Sequence, residues 1–143
     1  MSRSIAALTF SALALVTLPA FSQSLTFAEV QATGAKALTG AEVRELVLGA
    51  KTEFTQVDGF IRHWTNEADG TFIADRNYGP IRSRSGRGTW SVNDDGALCL
   101  RFDWGSADTN EWCRQLYRVE DRYYAYAVGA KPETRSGRYR FSR

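Results

Sequence analysis

The pattern of apolar and polar residues changes its period twice along the chain. Residues 5–18 form an apolar stretch without a charge, with Arg3 before it and Pro19, Ala20, Phe21 and Ser22 after it. A positive start, a short apolar run and small residues at Ala20 and Ser22 make a secretory signal, with cleavage expected before Gln23. A spanning helix needs about 20 apolar residues, so the run predicts no membrane span. The expected layout is a leader over residues 1–22 and one mostly β domain over residues 23–143.

Residues 26–50 read as helical. Thr26-Phe27-Ala28-Glu29 and Thr39-Gly40-Ala41-Glu42 each place a threonine three residues before a glutamate. In such a capping box the hydroxyl and the carboxylate satisfy amides that a helix start leaves without partners. Leu25 with Val30, and Leu38 with Val43, stand at the positions of a hydrophobic staple. Val43, Leu46 and Val47 share one helical face, and Gly34 and Gly49 stop the two helices.

From residue 52 the period becomes two. Strands are predicted over residues 52–57, 60–65, 71–74, 88–92, 97–104, 111–119, 122–128 and 138–142, separated by turn residues such as Asp58-Gly59, Asn93-Asp94-Asp95-Gly96 and Glu120-Asp121. Leu98, Leu100, Phe102 and Trp104 fall on one face of their strand, with Cys99, Arg101 and Asp103 on the other. Phe60 with Trp64, and Trp90 with Val92, join them as core candidates. A meander that is apolar on one side must curl over that side. The fold class expected is therefore mainly β, a small antiparallel barrel or strongly curved meander sheet preceded by one or two short helices.

Charge narrows the classes of partner. The chain has 18 basic and 16 acidic residues, and loss of Arg3 with the leader leaves 17 basic ones, a net charge near +1. Bulk attraction to nucleic acid or to a membrane is not implied. Every basic residue except Lys36, Lys51 and Lys131 is arginine. Arginine suits bidentate pairing with carboxylate or phosphate and stacking on aromatic rings, although a G+C-rich genome produces the same bias. Cys99 and Cys113 are the only cysteines. An even count in an exported chain reads as a disulfide, and no histidine or thiol cluster accompanies the pair to make a zinc site.

The succession Leu38-Thr39-Gly40-Ala41-Glu42-Val43, Asp69-Gly70-Thr71, Gly88-Thr89-Trp90-Ser91-Val92 and Gly96-Ala97-Leu98-Cys99 continues to Cys113 and Tyr123-Tyr124-Ala125-Tyr126. This order resembles the bacterial family called domain of unknown function 995, over roughly residues 36–128. The resemblance implies an exported proteobacterial protein whose two cysteines pair. It carries over no catalytic residue.

A direct search for chemistry gives no catalytic residue, no metal site and no cofactor. His63 is the only histidine, on the strand face opposite Phe60 and Trp64, and no G-x-S-x-G elbow offers a nucleophile. Asp94-Asp95-Gly96 is too short for a calcium loop. Asp103 and Glu111 flank one turn, which keeps open a small hydrolase using exposed carboxylates. Arg76, Arg82, Arg84 and Arg87, in a turn-rich stretch with Gly79, Pro80 and Gly86, are the binding candidates, together with Trp112 and Tyr124 among the late aromatic residues. The leading expectation is a non-catalytic binding module, periplasmic or secreted, whose partner is an anionic envelope polymer or an acidic protein surface. The alternative within binding is an inhibitor of a cell-wall hydrolase.

Overall fold

The computed structural model describes residues 24–77 and 83–143; residues 1–22, the expected leader, and Arg82 lie outside them. Both capping boxes form. The Thr26 and Thr39 hydroxyls accept from the amides of Glu29 and Glu42 at 3.2 and 3.3 Å, and each carboxylate takes its threonine's amide at 2.7 Å. These bonds start α1 (Phe27–Ala32) and α2 (Gly40–Val47). Their amide and hydroxyl donors hold both glutamate carboxyl groups below the ordinary range.

The strands are β1 (Leu25–Thr26), β2 (Lys51–Thr55), β3 (Ile61–Thr65), β4 (Thr71–Asn77), β5 (Ser83–Val92), β6 (Leu98–Asp103), β7 (Thr109–Val119), β8 (Arg122–Tyr126), β9 (Arg135–Ser136) and β10 (Arg138–Ser142). Strands β2 to β8 form an antiparallel meander, and β10 closes it into a barrel by pairing with β2 on one side and β8 on the other. The β10–β8 seam is short, Arg138 opposite Tyr124 and Tyr139 opposite Tyr123. Strands β1 and β9 make a separate two-stranded sheet.

The alternation read from the sequence places the core. Leu98, Leu100, Phe102 and Trp104 point inward and meet Phe54, Trp64, Phe72, Ala74, Leu116 and Tyr139. Helix α2 plugs one end with Val43 and Val47, both fully buried. Helix α1 covers the outside of the wall instead, where Val30 packs on Tyr124 and Tyr126. Cys99 and Cys113 stand opposite each other in the β6–β7 ladder and form the disulfide, S–S 2.04 Å. No helix among the described residues is long and apolar enough to cross a membrane.

Three expectations change. Phe60 precedes β3 in the hairpin and is 38% exposed, so it does not share the Trp64 face. Trp90 is half-buried at the edge of the core, its indole donating to the Glu67 carbonyl at 2.9 Å. Arg76, Arg84 and Arg87 are strand residues, because β4 runs on to Asn77 and β5 begins at Ser83. Gly86 reads as a turn residue but, like Gly88 in the strand, serves close packing. A Cβ at Gly86 would strike the Trp104 ring, and one at Gly88 the Phe72 ring and the Arg101 carbonyl.

Candidate functional site

The end of the barrel opposite α2 is polar and cationic inside. Arg62 lies two residues before Trp64 on β3, Arg76 two after Ala74 on β4, and Arg114 two after Trp112 on β7. The two-residue period therefore turns all three guanidinium-bearing side chains toward the lumen. Arg62 and Arg76 are buried, each 8% exposed. The Arg62 guanidinium lies 5.1 Å from the Phe102 ring, 5.4 Å from Trp104 and 5.8 Å from Trp112. Arg76 sits 4.3 Å from Trp104, and Arg114 sits 5.3 Å from Trp112. Stacking of this kind suits arginine, whose planar cation is weakly hydrated and gains from the negative face of the indole.

One carboxylate enters this end from a strained turn. Gly105, Ser106 and Ala107 have φ of 80°, 53° and 62°, and two of them are not glycine. Left-handed backbone costs a non-glycine residue about 1–2 kcal/mol. The turn presents Asp108 to Arg76 at 2.6 Å and to Arg84 at 3.5 Å. The Trp104 amide also donates to the Asp108 carbonyl at 2.9 Å.

Beside this pair a groove of about 760 Å³ opens through the wall, lined by Arg62, Asn110, Trp112, Arg114, Arg135 and the Gln56–Val57–Asp58 tip of the β2–β3 hairpin, among others. Its lining holds three arginines and two acids, Asp58 and Glu111. Arg62 donates to Gln56 Oε1 at 3.4 Å. The Tyr139 phenol lies in the barrel interior near Trp112, Arg114 and Arg62; burial pushes it up to about 12, against the pull of the two cations.

The sequence-derived binding residues divide. Arg76 and Arg84 come together on Asp108, and Trp112 lies in the neighbouring groove. Arg87 is on the outer face opposite Asp103. Tyr124 is 2% exposed, under α1 in the second cluster, and offers no surface to a ligand. Arg62, Arg114 and Arg135 were not among the binding candidates read from the sequence. For Arg62 and Arg114 the signal was present, since each is in phase with a tryptophan of its strand.

The outer face carries a second polar row, in which Arg140, Glu53, His63, Asp75 and Ser85 stand opposite one another on successive strands. The Ser85 hydroxyl donates to Asp75, not to His63, so the row holds no serine and histidine in contact. No group of three or more metal-ligating side chains is found among the described residues.

No curated protein and no solved structure matches the chain. The family model described as a protein of unknown function, DUF995, matches residues 13–125. The chain, a closed eight-stranded barrel with one cationic, tryptophan-lined end, thus belongs to the DUF995 family.

Proposed function

We propose that the chain is a non-catalytic binding module of the cell envelope, taking an anionic ligand into the groove at the cationic end of its barrel. The observation that carries this reading is the Arg62 guanidinium, held inside the wall over Phe102, Trp104 and Trp112 with Arg114 beside it. A cation fixed in low-dielectric surroundings interacts more strongly with an incoming anion than one in water, and its ordering cost is met on folding. The leader pattern and the disulfide support an oxidising, exported setting. An inhibitor of a cell-wall hydrolase would need an exposed basic loop, and the exposed β2–β3 tip, with Val57, Asp58 and Phe60, is not one.

The test is binding of anionic envelope polymers and acidic peptides to wild type, Arg114→Gln and the outer-face control Arg87→Gln over a range of salt. Affinity should fall about tenfold in Arg114→Gln and little in Arg87→Gln. It should also fall as the Debye length shrinks from about 10 Å at 0.1 M salt toward 3 Å at 1 M. Binding indifferent to both salt and Arg114 would reject the site.

A further inference from the structure

Strand β7 is longer than its neighbour, and the excess forms one wall of the groove. Residues 109–114 pair with β6, whereas β8 pairs only with residues 115–119. After Tyr126 the chain turns away, closed by a bond from the Ala130 amide to the Ala127 carbonyl at 3.1 Å. The side of residues 109–114 turned away from β6 has no strand against it among the described residues.

The register shows which backbone groups are left there. Trp104 donates to the Asp108 carbonyl, and Asp103 stands opposite Thr109. Antiparallel residues alternate the direction of their N–H and C=O groups, so Asn110, Trp112 and Arg114 bond toward β6. Thr109, Glu111 and Cys113 therefore turn theirs to the groove side. The same phase holds further along, where Gln115 pairs across to Tyr126 and the Leu116 carbonyl, on the β6 side, accepts from the Leu38 amide. The Asn110 side chain donates to the Thr109 carbonyl at 3.1 Å. The amides of Thr109, Glu111 and Cys113 and the carbonyls of Glu111 and Cys113 remain without a partner among the described residues.

We infer that the ligand of the groove is an extended acidic polypeptide that adds as a strand to the free edge of β7. This rests on the anion-binding reading above and narrows it to a class of ligand. Backbone bonds to β7 would supply the docking, as in other cases of strand addition. Specificity would come from alternation: every second side chain of the added strand points inward, toward Arg62, Trp112 and Arg114, so aspartate or glutamate at alternate positions meets the guanidinium groups. A length of six residues, about 20 Å, matches the unpaired stretch. A flexible anionic glycan would use the arginines and leave the amides of β7 unused, which makes it the competing ligand.

The experiment uses the oxidised protein, residues 23–143, and an arrayed library of hexapeptides with Asp or Glu at alternate positions. Binders are re-synthesised with single N-methyl groups, and amide hydrogen exchange of the protein is followed on binding. Strand addition predicts protection of the Glu111 and Cys113 amides, and about tenfold weaker binding when an amide of the peptide facing β7 is methylated. Glu111→Pro, which removes a groove-side donor and no bond to β6, should bind at least tenfold more weakly than Glu111→Ala, with both variants checked for an unchanged melting temperature. If Glu111→Pro fails to fold, the methylated peptides and the exchange data decide alone. Acidic glycans or peptides that bind through Arg114 without protecting Glu111 and Cys113 would overturn strand addition and leave the anion site standing. Absence of any Arg114-dependent binding would overturn both. Sedimentation showing that this edge is covered by a second copy of the chain would also overturn the inference.

Discussion

Replacing Phe102 by alanine should cost about 4–5 kcal/mol of folding stability. Phe102 is fully buried at the centre of the barrel. Its ring lies 5.3 Å from Trp64, 5.0 Å from Phe72, 5.5 Å from Trp104 and 5.2 Å from Trp112, with the Arg62 guanidinium 5.1 Å away. Phe→Ala in a core costs about 3–5 kcal/mol, from lost transfer energy and the cavity left behind. Favourable ring pairs add about 0.5–1.5 kcal/mol each beyond area, and four of them place this site at the top of the range. Phe102→Leu keeps most of the volume and should cost about 1–2 kcal/mol. A barrel of this size has a total of only about 5–15 kcal/mol, so Phe102→Ala should be partly unfolded at moderate temperature. Urea titration of both variants with the disulfide intact measures the losses, and near-ultraviolet dichroism reports the tryptophan packing. A loss under about 1.5 kcal/mol for Phe102→Ala, with unchanged tryptophan signals, would refute the aromatic hub and remove the support claimed for Arg62.

Reduction or double replacement of Cys99 and Cys113 by serine should lower stability by about 3 kcal/mol, the chain-entropy value for a loop of this length; denaturant midpoints with and without reductant measure it. Gly88→Ala should destabilise by at least about 1–3 kcal/mol, since the added methyl meets the Phe72 ring and a backbone carbonyl, and a neutral result would mean that β4 and β5 are less closely apposed. In alkali, Tyr139 keeps its proton in the fold to about pH 12, whereas the unfolded chain loses it near 10. Above pH 10 the folded state binds the extra proton, so its contribution, about 3 kcal/mol over two pH units, is whole below pH 10 and lost as pH rises to 12. Tyr139→Phe should flatten that slope in pH-dependent urea titrations, and an identical slope would contradict the buried phenol.

The helix starts, the strand alternation and the cysteine pairing were legible because each is a local signal. Thr26 and Glu29, or Leu98 and Leu100, announce their roles within a few residues. The site was less so. Arg76 and Arg84 were found as a charge cluster, but their counter-ion Asp108 arrives from a turn more than twenty residues away, and no local pattern links them. Gly86 mimicked a turn because glycine serves bends and close packing alike. Tyr124 looked like surface since period two assigns opposite faces to neighbours without saying that α1 covers the outer one. Arg62 and Arg114 were left out of the binding candidates, whose arginines were drawn from the cluster Arg76 to Arg87, although their phase with Trp64 and Trp112 put them on the inner face.

The central claim is that an anion enters the tryptophan-lined end of the barrel, and the four indole N–H resonances test it most directly. Trp104 and Trp112 stand at that end with the arginines, whereas the Trp90 indole N–H is engaged elsewhere, donating to the Glu67 carbonyl. During titration of the labelled protein with an acidic peptide or polymer, the Trp112 resonance should shift most, Trp104 should follow, and Trp90 should stay in place. A shift led by Trp90, or saturable binding that leaves Trp112 unmoved, would contradict the account.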